Sequence, residues 1–123
     1  MLGFLIGLSQ TKPARGAKVH DVDVPMFEVI DGARKKAGKI WQSRWSSGEG
    51  KLSIQIRGVE NGHGGKATMH HNSEPVGDFP VEGSQFKFAW RGQVEPDMPL
   101  FEVGDEVVIK IGSQTFVGNS RPD

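Results

Sequence analysis

Residues 84–92 read SQFKFAWRG and residues 51–58 read KLSIQIRG. In the first, Phe86, Phe88 and Trp90 occupy every second position, opposite Lys87 and Ala89. In the second, Leu52, Ile54 and Ile56 alternate with Ser53, Gln55 and Arg57. A strand sends successive side chains to opposite faces, so a period of two marks half-buried β-structure, whereas a helix would repeat every 3.6 residues. The two runs are expected to pack their apolar faces together.

The same period extends outward from these runs. KIWQSRWSS (39–47) places Trp41, Ser43 and Trp45 on one face and Gln42 and Arg44 on the other. A Trp beside apolar neighbours is expected in a core, and Trp41, Trp45 and Trp90 are read that way. KATMHHN carries Ala67 and Met69 on one face, and EVVIKIG and QTFVG supply two further strands near the end. Turn residues punctuate the runs: GEG at 48–50, the Asn-Gly pair inside VENGHGG, and NSEP at 72–75. Short strands at such spacing predict an all-β domain, an Ig-like sandwich with a small β-barrel as the alternative. The one helix candidate, DGARKKAGK (31–39), is short and interrupted by Gly38. It reads as a single helical turn or a basic loop.

The phrase DVPMFEVID (23–31) returns as DMPLFEVGD (97–105), with six of nine positions identical. Pro lacks the amide hydrogen that a central ladder needs, so each copy reads as a strand entry. Phe27 and Val29, like Phe101 and Val103, would then share a buried face.

Composition narrows the class. The chain has 123 residues, enough for one self-sufficient core, with 17 Gly, 7 Pro and no Cys. Disulfides and thiolate metal sites are therefore excluded. Net charge is zero, but residues 1–57 hold ten Lys/Arg against five acids, and residues 58–123 hold five against ten. That split allows head-to-tail attraction between copies or with a polar partner. A polyanion binder would show a basic excess overall, so nucleic acid is not the expected partner. MLGFLIGL (1–8) is apolar, yet no basic residue precedes it and it is short for a secretory signal. It reads as an arm, followed by the polar linker SQTKPARGAK. The organisation expected is an arm and linker over 1–22 and one β-domain over 23–123.

From Leu52 the order LSIQIRGVENGHGGKATMHHNSEPVGDFPVEGSQFKFAWRG, with VGDEVVIKIG after it, resembles bacterial Ig-like repeats over about residues 52–112. The chain carries Asn72-Ser73 where those modules usually have Asn-Gly, and a long basic segment before Trp41. The resemblance implies a non-catalytic adhesion or spacer sandwich.

Chemistry-bearing patterns are few. No phosphate-binding loop, nucleophile elbow or HExxH helix occurs. His63, His70 and His71 are the only clustered metal-ligand candidates, and neighbours on a strand point to opposite faces, so no metal site is expected. Acids such as Glu95 with Asp97, or Glu102 with Asp105 and Glu106, lie in loops, and no catalytic residue or cofactor is assigned. The expectation is a non-enzymatic structural or binding protein, a virion decoration or assembly protein, located in the virion or cytoplasm. Its partner contacts are assigned to Leu2, Phe4, Leu5, Ile6 and Leu8 of the arm and to Arg34, Lys35 and Lys36. Partners are expected to be proteins or further copies of the chain, with no membrane and with carbohydrate as a possibility. The alternatives are a cell-surface or carbohydrate-binding module, a small metal-dependent barrel enzyme, and a nucleic-acid-binding barrel.

Overall fold

The computed structural model describes residues 16–60 and 65–123. Among these residues all regular structure is β. The strands are β1 (Lys18–Ile30), β2 (Ala33–Trp45), β3 (Glu49–Arg57), β4 (Lys66–His71), β5 (Glu74–Pro80), β6 (Gln85–Gln93), β7 (Glu106–Ile111), β8 (Gln114–Asn119) and the two-residue β9 (Arg121–Pro122). They form one antiparallel sheet in the order β5-β4-β7-β8-β1-β2-β3-β6, with β9 beside β1. The sheet curls into a nearly closed barrel, its ends β5 and β6 meeting around a single core.

The quoted apolar runs lie face to face as their period requires. Leu52 pairs with Trp90, Ile54 with Phe88 and Ile56 with Phe86. Ile40 opposes Ile54 from the other side. Phe86, Phe101, Phe116, Met26, Met69 and Ile109 are among the fully buried side chains. Each such side chain contributes roughly 1.5–3 kcal/mol on burial. The core is continuous from β1 through β8.

Three expectations are corrected here. First, DGARKKAGK is neither a helical turn nor a loop. Asp31 and Gly32 both have positive φ (51° and 80°), forming a two-residue turn between the thirteen-residue strands β1 and β2. Ile30 pairs with Ala33 and Val29 with Arg34, so the basic run is strand from its start. This backbone twist matches that of the flanking strands, which is why Asp-Gly favours a hairpin. Gly38 is a close-approach residue, because a Cβ there would fall on the Gln55 carbonyl oxygen of β3. Beside it Ala37 is an extra residue, a bulge between the pairs Met26/Gly38 and Phe27/Lys36.

Second, the repeated phrase adopts two unlike structures. Its first copy is the middle of β1, with Pro25 buried inside the strand rather than opening it. Its second copy lies in the irregular segment between β6 and β7. Phe101 is buried, but Val29 and Val103 are exposed, so the pairing expected for these positions fails. Six shared residues do not carry a strand where no neighbouring ladder receives them. Third, β1 begins at Lys18, so the last residues of the expected 1–22 arm and linker already belong to the sheet.

Candidate functional site

The barrel does not close with a ladder. β5 and β6 are joined by residues 81–84, and the isolated bridge Glu82–Gln85 links that connection to the start of β6 rather than strand to strand. Beyond it the seam is closed by rings. Phe79 lies 5.9 Å from Phe86 and 4.8 Å from Phe88, centroid to centroid. Further up, the two strands part and leave a cleft of about 390 Å³. Leu52, Val76, Phe79, Phe88 and Trp90 form its walls, and Glu95, Asp97, Met98 and Pro99 form its rim.

The cleft is a direct product of the strand register. Successive inward rows across β2, β3 and β6 are Gly38/Ile56/Phe86, Ile40/Ile54/Phe88, Gln42/Leu52/Trp90 and Arg44/Gly50/Gly92. The rows change from fully apolar to polar and small towards the mouth. At Gly50 a side chain would collide with Val94. A Cβ at either glycine would lie in van der Waals range of the Trp90 indole, which lines the mouth.

Gln42 and Arg44 bond the backbone of the segment that crosses the mouth. Gln42 Nε2 donates to the Pro99 carbonyl at 2.8 Å, and the Phe101 amide donates to Gln42 Oε1 at 2.8 Å. Arg44 donates to the same Pro99 carbonyl at 2.8 Å. These side chains replace the ladder that segment 94–105 lacks, and hold it over the open end of the barrel. Burial pushes the Arg44 guanidinium below its ordinary pKa, although it stays charged at any working pH.

The alternation predicted for β2 is observed, but its sidedness is reversed. Trp41 and Trp45 face outward, half-buried, with Lys39 Nζ 5.6 Å from the Trp41 ring and Lys18 Nζ 5.6 Å from the Trp45 ring. The interior takes Gln42 and Arg44 because the loop carbonyl and amide above them need partners. Trp90 alone of the three faces inward, into the cleft.

Outside the barrel, Asp23 is 2% exposed and bridges two basic side chains. Arg121 Nε donates to it at 2.8 Å and Lys39 Nζ lies 3.2 Å away. The Arg121 hydrogen bond is the main reason its carboxyl sits below the usual range, against the opposing effect of burial. This contact clips β9 to β1.

His70 and His71 part to opposite faces of β4. His71 Nε2 meets Asp105 Oδ2 at 2.7 Å and packs edge-on against Phe101 at 5.0 Å. Asp105 also accepts from the Glu102 amide, and the His71 hydrogen bond is the main cause of its lowered pKa. His63 lies outside the described residues. Among the described residues no three metal-ligand side chains converge.

Leu2, Phe4, Leu5, Ile6 and Leu8 also lie outside the described residues. Arg34, Lys35 and Lys36 are exposed at the start of β2, at the end of the molecule remote from the cleft mouth. The sequence reading did not single out Gln42 and Arg44. Their position opposite the tryptophans was legible, but nothing local showed which face was inside. No helix among the described residues is long and apolar enough to cross a membrane. No protein-family model, curated protein or solved structure matches the chain.

Proposed function

We propose that the protein is a non-catalytic binding module that assembles with protein partners, as in virion decoration or assembly, and that the seam cleft receives an apolar protein segment. The observation that carries this reading is the cleft itself. It is apolar where two strand edges fail to pair, and Gln42 and Arg44 beside it already bond the 94–105 backbone. An extended apolar segment would bury its side chains against Leu52, Phe88 and Trp90 and meet the unpaired edges of β5 and β6, the arrangement used in strand addition.

The test uses the amphiphilic anionic dye 8-anilinonaphthalene-1-sulfonate on the full chain, with Leu2, Phe4, Leu5, Ile6 and Leu8 replaced by Ser so that no internal segment competes. Saturable binding of one dye per folded chain is expected, with quenching of Trp90 fluorescence. Leu52→Glu and, separately, Met98→Glu should each abolish it, since each puts a carboxylate where the dye's ring or sulfonate would sit. An absence of saturable binding, or binding indifferent to both substitutions, refutes the reading.

A further inference from the structure

The β1–β2 hairpin and the cleft lie at opposite ends of the molecule. β3 pairs with β2 only from Gly38 to Arg44, and β8 pairs with β1 only at Phe27 and Glu28. The hairpin beyond these positions, residues 29–35, therefore projects without a neighbouring strand. Its tip exposes two apolar residues, Val29 at 38% and Ile30 at 44%, beside Arg34, Lys35 and Lys36. None of those three cations has an ion pair among the described residues.

At the other end of β2, roughly 40 Å away at about 3.3 Å per residue, the cleft mouth carries exposed acids on its rim beside Arg44 and Lys51. Glu95 and Asp97 form part of its rim and are exposed, as is Glu102, one residue beyond the Phe101 amide that Gln42 holds. Two of the cations at this end are engaged, Arg44 on the Pro99 carbonyl and Arg91 on Glu49 at 3.5 Å. Lys51 is a further cation on the cleft wall.

We propose that the cleft's occupant is the β1–β2 hairpin tip of a second copy, docked head to tail. This identification rests on the cleft being a receptor for a protein segment. Val29 and Ile30 enter the apolar cleft while Arg34, Lys35 and Lys36 meet Glu95, Asp97 and Glu102. The two surfaces differ, so the contact is heterologous and propagates into a ring or a filament rather than closing a two-fold dimer. A propagating contact suits a protein that coats or extends an assembly.

The experiment is sedimentation velocity on the full chain with the five arm residues replaced by Ser, and on the unmodified chain. Both should associate as concentration rises, and raising salt to about 0.5 M should weaken association about tenfold or more, because exposed charges are then screened. Reversing the tip (Arg34→Glu, Lys35→Glu, Lys36→Glu) should give monomers, and so should reversing the rim (Glu95→Lys, Asp97→Lys). Mixing the two reversed proteins should restore association, since each then presents a complementary partner surface. Both variants change exposed side chains and should keep the wild-type melting profile. Monomers throughout, association that survives tip reversal, or a mixture that stays monomeric would each overturn the proposal. Association lost only on replacing the arm would assign the occupant to residues 2–8 instead. Dye binding that persists while association fails would leave the receptor reading standing and remove only the second copy.

Discussion

Replacing Gln42 by Leu removes polar contacts with almost no change of volume. Three groups feel it. The Pro99 carbonyl loses one donor but keeps Arg44 at 2.8 Å. The His20 ring loses an acceptor at 3.2 Å on a partly exposed side chain. The Phe101 amide loses the acceptor at 2.8 Å that satisfies it in a buried setting. Only the last leaves a buried group unpaired, at a cost of about 1–3 kcal/mol. Leu recovers part of that by apolar contact, so the net loss is expected near 1–2 kcal/mol. For a domain of this size that lowers Tm by about 3–8 °C. Urea unfolding followed by Trp fluorescence measures the loss, and hydrogen exchange at the Phe101 amide locates it. Segment 94–105 should lose protection first and dye affinity should fall with it, because the rim residues hang on this contact. A change below about 0.5 kcal/mol, with Phe101 as protected as before, would show that the loop is held by something other than Gln42.

Phe86→Ala, at a fully buried position, should cost about 3–5 kcal/mol through lost burial and the cavity left behind, measured by the same unfolding assay. Gly38→Ala should cost more than propensity alone predicts and broaden β2–β3 amide signals in NMR spectra, since its methyl would fall on the Gln55 carbonyl. Acid titration should show stability falling below about pH 4: Asp23 and Asp105 are held below their ordinary pKa by Arg121 and His71 respectively, so their stabilisation is present above the unfolded value of about 3.9 and is lost as pH falls through the folded values. Asp23→Asn should flatten that dependence, and a slope unchanged by the substitution would contradict the role given to the Arg121 contact.

Local sequence determined the strands and several of their pairings. The alternation in 51–58 and 84–92 placed Leu52, Ile54 and Ile56 against Phe86, Phe88 and Trp90, because a period of two leaves only one apolar face to bury. The all-β class followed, as did the separation of His70 from His71. An Asp-Gly pair inside residues 31–39 also marked a hairpin, but the run of basic residues after it obscured the strand. Tertiary structure decided what periodicity is blind to, namely which face of a strand is inside. In β2 the apolar candidates Trp41 and Trp45 went outward, and Gln42 and Arg44 went inward to satisfy a loop more than fifty residues away. The same long-range demand separated the two copies of the repeated phrase. DVPMFEVID found ladder partners in β2, β8 and β9, while DMPLFEVGD is held by isolated turn and loop hydrogen bonds and by the side chains of Gln42 and Arg44. Hydrogen-bond satisfaction is settled by whichever neighbour the whole chain brings near, so identical short phrases need not share a structure.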